Sequence, residues 1–191
     1  MVLYAYIFDF DGVLFYTMEG HFQCYRQALQ EYGVPIDREQ FYRQAGMKGV
    51  EQIAYFAGAA GVSVDPGEVY RRKGEIQKSR DPVVEPIRSN LNLLQMLQKN
   101  GNPVAIASGS SKPSIFPVLR RYNMNIDVVV TSEDVERGKP YPDLFLEAGR
   151  RLQAAPERCI VIEDSDAGVE AGQAAGMAVL RYYDNREQGG S

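Results

Sequence analysis

The feature that most constrains the fold of this chain is the apolar run LYAYIF (residues 3 to 8), which leads directly into Asp-Phe-Asp-Gly. Asp9 and Asp11 lie two residues apart, so on a strand both side chains would point to the same face. Two carboxylates this close repel each other unless a cation lies between them or one keeps its proton. The same residues are also common in polar turns. The stretch therefore predicts a strand that ends either in an ordinary turn or at a site for a positive charge.

Four more apolar runs rich in β-branched residues predict strands, and helical patterns separate the later ones. The runs are PVAIA (103–107), DVVV (127–130), CIVI (159–162) and MAVLRY (177–182). Residues 87–100 have apolar residues at helical spacing and end before a glycine, and residues 142–152 begin with a proline at a first-turn position. Alternating strands and helices predict an α/β fold with a doubly wound parallel sheet, which binds ligands at the carboxyl ends of its strands.

The alternation is interrupted once, directly after the first strand. Residues from about Thr17 to about Pro82 show only helical patterns, with breaks near YGVPI, AGMKG and AGVSVDPG. We therefore expect residues 1–16 and 83–191 to form a Rossmann-like catalytic core, and residues 17–82 to form an inserted α-helical cap domain. An insert at this point would stand over the carboxyl end of the first strand and act as a lid.

Side chains that can carry chemistry lie where the predicted strands end. Ser108 follows the second strand, Lys139 follows the third, and Glu163 and Asp164 end the fourth. Because the carboxyl ends of parallel strands meet in one crevice, these residues are expected close to Asp9. Carboxylate oxygens in this number suit Mg²⁺, which takes one or two carboxylates together with water and phosphate oxygens. Such a cation would let neighbouring carboxylates stay ionised.

This set of residues suits phosphoryl transfer. A carboxylate beside a magnesium-bound phosphate, such as Asp9, can attack phosphorus and form an aspartyl-phosphate. Ser108 and the main-chain N–H groups of the turn SGSS (108–111) could hold the phosphoryl oxygens, and Lys139 could balance charge in the transition state. Asp11 could protonate the leaving oxygen and later take a proton from water. Each residue also has an ordinary structural explanation, such as a helix cap or a turn, but together they favour an enzyme.

Four segments resemble, in order, the motifs of the haloacid dehalogenase-like hydrolases that carry a helical cap after the first strand: DFDGVLF, IASGSS, GKPYPD and IEDSDAGVEAGQAAGM. The likeness covers nearly the whole chain and is strongest to β-phosphoglucomutase-like proteins and small sugar phosphatases. It implies a nucleophile, an acid/base, a phosphate-binding hydroxyl and a lysine at Asp9, Asp11, Ser108 and Lys139. It also implies a Mg²⁺ site formed by Asp9, the Asp11 carbonyl and Asp164, with Glu163 close by.

Further substrate-binding residues are expected in the SGSS turn and in the helical insert. Gly109 and Ser110 would contribute main-chain N–H groups of the turn. His21, the only histidine, has the spacing of the histidine that couples cap closure to the acid/base aspartate in β-phosphoglucomutases, although a lone histidine on a helix is commonly structural. Lys48 lies in a loop that resembles the Lys-Gly-Val loop of the mutases, and Lys73 is a further candidate cation.

Two positions depart from the family pattern. This chain has Gln52 where the mutases carry an arginine that grips a second phosphate, and glutamine offers no charge to an anion. It has Pro86-Ile87 where the cap usually rejoins the core through a Pro-Gly pair. We therefore expect a magnesium-dependent phosphatase acting on a small phosphorylated metabolite, with a sugar phosphate as the first candidate. A phosphomutase of the β-phosphoglucomutase type is the alternative.

Two other classes of protein compete with this interpretation. A signalling receiver domain also combines an aspartate nucleophile, a hydroxyl, a lysine and magnesium on a parallel sheet. A receiver, however, needs neither a second aspartate two residues after the nucleophile nor a long helical lid. A catalytically silent binding protein would not need all four motifs intact.

Composition limits the partners of the chain. Its formal net charge of −4 argues against a dedicated nucleic-acid binder, and the short basic stretches at 71–73 and 120–121 suit solvated helix faces. No apolar run approaches the roughly 20 residues that cross a bilayer. Cys24 and Cys159 lack the spacing of metal or redox motifs. We expect a cytoplasmic monomer or weak dimer that binds a small phosphorylated molecule and neither nucleic acid nor membrane.

Overall fold

The structure, a computed structural model, describes residues 4–44, 46–79 and 84–183, and a parallel five-stranded sheet lies at its centre. In chain order the strands are β1 (Ala5–Phe8), β2 (Phe15–Tyr16), β3 (Glu85–Pro86), β4 (Val104–Ala107), β5 (Val128–Val130), β6 (Cys159–Glu163) and β7 (Ala178–Arg181). The order in the sheet is β5-β4-β1-β6-β7, and β2 pairs with β3 in a separate antiparallel ribbon. The predicted α/β fold is confirmed, and all five predicted strands are present.

Eight α-helices are described. They are α1 (Met18–Gln30), α2 (Arg38–Arg43), α3 (Gly49–Ala60), α4 (Pro66–Ser79), α5 (Arg88–Lys99), α6 (Lys112–Arg121), α7 (Asp143–Arg151) and α8 (Asp166–Ala174). The helices predicted at 87–100 and 142–152 correspond to α5 and α7. Helix α7 begins one residue later than predicted, because Pro142 takes the N-cap position, where its missing N–H removes no helical hydrogen bond. No helix within the described ranges is long and apolar enough to cross a membrane.

The central position of β1 brings the strand ends together. Strand β1 pairs with β4 on one side and β6 on the other, so that Phe8 lies level with Ile106 and Ile162. From β1 the chain first forms β4 and β5 on one side of β1, and later β6 and β7 on the other side. A crevice forms where the strand order of a parallel sheet reverses in this way. The residues that follow β1, β4 and β6 therefore share one edge of the sheet.

Apolar side chains cover both faces of the sheet. Ala5 and Ile7 of β1 belong to the cluster that packs against α7 and α8, whereas Tyr6 and Phe8 pack in the cluster beneath α5 and α6. Successive side chains of β1 therefore point to opposite faces of the sheet, and helices cover both faces. The two clusters hold β1 in the middle of the core.

The helical insert, α1 to α4, has an apolar cluster of its own. Phe22, Phe41, Ile53 and Phe56 are among its buried members, and both α1 and α3 pack on α4. A cap that folds as a domain of its own would need such a separate apolar cluster. The predicted boundary between residues 82 and 83 lies outside the described residues, so the division into two domains stays a prediction.

The insert joins the sheet through the β2–β3 ribbon. Phe15 lies opposite Pro86, and the amide of Ile87 donates a hydrogen bond to the carbonyl oxygen of Leu14 at 2.9 Å. The Pro86-Ile87 pair, which departs from the family pattern, therefore lies in this ribbon, where the chain returns from the insert.

Leu144 and Leu146 provide a matched test of the cluster between α7 and the sheet. Leu144 is fully buried, whereas 41% of Leu146 is exposed on the same helix. We expect Leu144→Ala to lower the free energy of unfolding by about 2–5 kcal/mol, because it leaves a cavity in the core. We expect Leu146→Ala to lower it by about 0.5 kcal/mol or less. Urea denaturation of both variants measures the difference, and equal losses would contradict the described packing.

Candidate active site

Asp9 and Lys139 form an ion pair at the centre of the site. The amide of Asp9 extends the ladder of β1 by donating to the carbonyl oxygen of Ile162 at 3.0 Å. The carboxylate is buried, and Nζ of Lys139 lies 2.8 Å from its Oδ1. The ammonium of Lys139 is the ion-pair partner of Oδ1, and no other group among the described residues donates a hydrogen bond to this oxygen. This oxygen therefore keeps a lone pair for a cation or an electrophile.

Glu163 holds Lys139 from the other side. It is fully buried, pairs with the ammonium, and accepts hydrogen bonds from the amide and hydroxyl of Ser165 at 2.7 and 3.0 Å. Burial opposes the charged form of Lys139, but the carboxylates of Asp9 and Glu163 outweigh burial and raise the pKa of Lys139 above its ordinary value. Lys139 is therefore a permanent positive charge beside Asp9.

Asp9, Glu163 and Asp164 form an acidic cluster that could hold a metal ion. One carboxylate oxygen from each residue lies within 4.8 Å of the others. Gly12 permits this approach: its φ is +83°, and a Cβ at this position would overlap with the carboxylate of Asp164. The open Oδ1 of Asp9 and the all-oxygen donor set fit Mg²⁺.

The charges of the acidic cluster also favour a cation, because three carboxylates share one ammonium. Burial raises the pKa of Asp9 to about 7, although Lys139 opposes the rise and Glu163 and Asp11 add to it. Burial, followed by the negative charges of Glu163 and Asp9, raises the pKa of Asp164 to about 9. A divalent cation would stabilise both carboxylates in their ionised form.

The two aspartates of the opening motif lie after β1 rather than on it, and both line the cavity between the sheet and the helical insert. Strand β1 ends at Phe8, and the chain turns at Asp9 to Gly12 before Asp11 forms a bridge with Phe15. Side chains alternate between two faces only within a strand, so in the turn the carboxylates of Asp9 and Asp11 contact different partners.

Asp11 lies in a hydrogen-bond network of its own. Four side chains contact its carboxylate: Thr17 and Ser110 donate to it at 2.5 and 2.7 Å, and Ser108 Oγ and His21 Nε2 each lie at 3.0 Å. Burial opposes its ionisation, but His21 and the hydrogen bonds from Thr17 and Ser110 outweigh burial and hold the pKa of Asp11 well below its usual range. The side chain of Asp11 is thus separate from the acidic cluster, and a metal contact through its carbonyl stays a prediction.

Ser108 lies deeper than its predicted role requires. It is completely buried, its amide extends β4 by donating to the Val130 carbonyl at 3.0 Å, and its hydroxyl accepts from the amide of Ser110 at 2.9 Å. Gly109 and Ser110, rather than Ser108, line the cavity above the acidic cluster. The structure places the Ser108 hydroxyl beneath the turn, where it supports Asp11, and a direct contact with phosphate stays a prediction.

A narrow cavity of about 50 Å³ lies between the acidic cluster and the helical insert. His21, Gln52 and Lys73 line it from the insert. Lys73 is 3% exposed, and its Nζ lies 2.7 Å from Gln77 Oε1 and 3.4 Å from His21 Nδ1. Burial lowers the pKa of Lys73 to about 8. His21 and Lys73 are thus placed at the cavity, as expected of substrate-binding residues.

Lys48 points away from the cavity, in contrast to its expected contact with substrate. Its ammonium donates to the carbonyl oxygen of Val135 at 2.6 Å and to that of Glu136, in the loop that leads to Lys139. Main-chain carbonyls satisfy the ammonium there, because the loop end of the insert lies against the core. Lys48 therefore clamps the insert to the core in this structure.

Thr17, Tyr25 and Tyr70 also belong to the site, although no sequence motif pointed to them. Thr17 bonds Asp11, and both tyrosines line the cavity, with ring centroids 5.0 and 5.7 Å from the ammonium of Lys73. Helical spacing could have found the tyrosines, because Tyr25 lies four residues after His21 on α1 and Tyr70 lies three residues before Lys73 on α4.

Comparisons with known proteins give matches over nearly the whole chain. A family model described as haloacid dehalogenase-like hydrolase matches residues 6–182. The phosphorylated carbohydrates phosphatase of Thermotoga maritima is 30% identical over 178 residues, which cover 91% of this chain and 82% of that protein. The β-phosphoglucomutase of Bacillus subtilis is 31% identical over 182 residues, which cover 91% of this chain and 80% of that protein.

A solved structure shares the fold. A variant of CbbY from Rhodobacter sphaeroides, in complex with xylulose 1,5-bisphosphate, superimposes with a TM-score of 0.82 at 26% sequence identity. The match covers 95% of this chain and 88% of that chain, so it includes the helical insert as well as the sheet.

Asp164 and Asp166 allow a matched test of the acidic cluster. Asp164 lies in the cluster, whereas the side chain of Asp166, two residues later, is 90% exposed. We expect Asp164→Asn to weaken Mg²⁺ binding by about 10-fold or more, since even residues that only support metal ligands contribute about this much. Asp166→Asn should leave the affinity within about twofold. Calorimetric titration with MgCl₂ measures both, and an unchanged affinity in Asp164→Asn would show that the metal binds elsewhere.

Proposed function

This chain belongs to the haloacid dehalogenase-like hydrolase family, and on that basis we propose that it is a magnesium-dependent phosphatase acting through an aspartyl-phosphate. The observation that carries the proposal is the buried carboxylate of Asp9, with one open oxygen, held beside the ammonium of Lys139 at the cavity. The proposed substrate is a small phosphorylated metabolite, with sugar phosphates first. The names of the phosphorylated carbohydrates phosphatase and the β-phosphoglucomutase support this class.

In the proposed first step, an oxygen of Asp9 attacks the phosphorus of the substrate opposite the leaving oxygen. The bond from phosphorus to the leaving oxygen breaks as the bond to Asp9 forms, and Asp11 gives a proton to the leaving group. The negative charge of the bound phosphate raises the pKa of Asp11 from its low value in the free site, so that Asp11 can carry this proton. Lys139 stabilises the negative charge that Asp9 and the phosphoryl oxygens share in the transition state.

In the proposed second step, water releases the phosphate. Asp11, now a carboxylate, takes a proton from a water molecule whose oxygen attacks phosphorus, and the bond from phosphorus to Asp9 breaks. The hydrogen bonds from Thr17 and Ser110 and the contact with His21 support this role, because they fix the carboxylate at the cavity and favour its ionised form.

Mg²⁺ would be held by Asp9, Asp164 and the main-chain carbonyl of Asp11, with Glu163 close by. When bound, it offsets the repulsion between these carboxylates and the phosphate of the substrate. The support for this assignment is the geometry of the acidic cluster and the open oxygen of Asp9.

Phosphatase activity is favoured over the phosphomutase alternative. A mutase must hold the non-reacting phosphate of a bisphosphorylated intermediate, and arginine suits this task because it forms two parallel hydrogen bonds. Gln52 is buried at the corresponding position, with its amide nitrogen 3.4 Å from the carbonyl oxygens of Phe41 and Gln44. Lys48 is turned to the core loop, so Lys73 is the lysine of the insert that faces the cavity within the described residues.

The protein class, the location and the partners of the chain form the rest of the proposal. The family match and the helical insert give no support to a receiver domain, and the assembled site argues against a silent binding protein. We propose a cytoplasmic monomer or weak dimer that binds neither nucleic acid nor membrane, supported by the net charge of −4.

The nucleophile can be tested by replacing Asp9 with asparagine. Asp9→Asn keeps the shape but removes the attacking charge, so phosphate release from sugar phosphates should fall by about 10³-fold or more. Mass spectrometry after an acid quench should find a phosphoryl adduct on the wild-type protein and none on Asp9→Asn. Asp127→Asn, a change at an exposed residue before β5, is the matched control and should keep full activity. More than about a tenth of wild-type activity in Asp9→Asn would contradict the covalent mechanism.

The choice between phosphatase and mutase can be made in one assay. Glucose 1-phosphate, glucose 6-phosphate and free phosphate are followed together in the presence of a glucose bisphosphate primer. We expect net phosphate release with little isomerisation, because Gln52 stands where the mutases carry the arginine for the distal phosphate. If isomerisation outran phosphate release by about tenfold, the enzyme would be a mutase in which a lysine replaces the arginine.

A further inference from the structure

A second, larger cavity lies beside the narrow one, between α1, α4 and α6. This side groove has a volume of about 760 Å³, compared with about 50 Å³ for the narrow cavity. His21, Tyr70 and Lys73 line both, so these three side chains separate the groove from the acidic cluster. The groove is therefore the space into which a leaving group too large for the narrow cavity could extend.

Two glycines inside helices keep the side groove open. Gly20 of α1 and Gly74 of α4 both line it, and no atom lies within 4 Å of the position that a Cβ would take at either residue. A glycine inside a helix costs about 1 kcal/mol relative to alanine. No part of the protein fills the space beside either glycine, so neither position narrows the groove.

One wall of the side groove is apolar and rigid. It is formed by Tyr16, Val84, Pro113, Pro117 and Val118. Pro113 and Pro117 are four residues apart on α6, so their exposed rings lie on the same face of that helix. Together with the ring of Tyr16 they offer a surface on which a flat ring can pack.

Polar side chains of α4 and of the first turn of α6 line another part of the side groove. Gln77 of α4 accepts a hydrogen bond from Lys73 at 2.7 Å, and the hydroxyl of Ser114 on α6 lies 3.4 Å from the same oxygen. Ser111 Oγ lies 3.2 Å from Ser114 Oγ. These hydroxyl, amide and ammonium groups suit a chain of sugar or polyol hydroxyls, whereas the two prolines of α6 suit an apolar end group.

We propose that the side groove binds a planar ring carried by the leaving group. The substrate class is then phosphate monoesters in which a sugar or polyol connects the phosphate to a heterocycle, as in a 5′-mononucleotide or flavin mononucleotide. The phosphate occupies the narrow cavity and the ring packs against the prolines of α6. The hydroxylated linker takes the place of the 3.4 Å contact between His21 and Lys73, which separates the two cavities in this structure. This inference rests on the proposed phosphatase function and narrows its substrates.

Matched substrates isolate the contribution of the ring. Adenosine 5′-monophosphate and ribose 5-phosphate share the ester and the sugar and differ by the base, and flavin mononucleotide and ribitol 5-phosphate differ by the flavin ring. We expect kcat/KM for phosphate release to be about tenfold or more higher for the ring-bearing member of at least one pair, mainly through KM, because stacking of a ring adds affinity of this order.

Filling the side groove should remove this preference. Gly74→Leu places a side chain in the open space, so the ring-bearing substrate should lose about tenfold in kcat/KM. Ribose 5-phosphate, which has no ring to place in the groove, should change by less than about twofold. Gly58→Leu is the matched control, since Gly58 lies in α3 with equally open space and does not line the groove. Gly74→Ala, a smaller change whose effect should be intermediate, serves if Gly74→Leu fails to fold in a thermal melt.

The outcomes separate this inference from the function on which it rests. Equal kcat/KM values within both substrate pairs, or an equal loss on both members of a pair in Gly74→Leu, would overturn the side groove as a ring site and leave the phosphatase intact. Absence of phosphate release from every monoester, with Mg²⁺ present, would instead contradict the proposed function itself.

Discussion

The ion pairs that Lys139 makes with Asp9 and Glu163 are the interactions on which the rest of the site depends. Taking three ionised groups out of water is costly, and the cost is offset only if the groups meet one another. All three are buried, so the loop after β5 is fixed against the carboxyl ends of β1 and β6. The acidic cluster still holds more negative than positive charge. A cation that also binds phosphate would remove the repulsion between this site and an anionic substrate.

The helical insert contacts the loops that carry Asp11 and Lys139. His21 contacts Asp11 after β1, and Lys48 bonds the carbonyl of Val135 in the loop that carries Lys139. A movement of the insert would therefore change the surroundings of both Asp11 and Lys139. The same helices bound the side groove, so the part of the protein that covers the reacting groups also shapes the space for the leaving group. The proposed reacting groups thus lie at the narrow cavity, and the proposed ring site lies in the side groove next to it.

Agreement between sequence and structure is best where connectivity alone decides position. Lys139, Glu163 and Asp164 follow strands of a parallel sheet, and a parallel sheet places the ends of its strands at one edge, so their proximity to Asp9 could be predicted. Ser108 and Lys48 could not be placed in this way. Both lie in the predicted loops, but Ser108 points beneath its turn and Lys48 bonds a loop 87 residues further along the chain.

The sequence by itself determined the order of strands and helices, the position of the insert and the loops that carry the site, because periodicity and connectivity are local properties of the chain. Only the tertiary structure decided which way each side chain points, which carboxylate pairs with Lys139, and how the space beneath the insert divides into a narrow cavity and a side groove. Hydrogen bonds, pKa values and cavities depend on distances between residues remote in sequence. Those distances are fixed only when the whole chain packs.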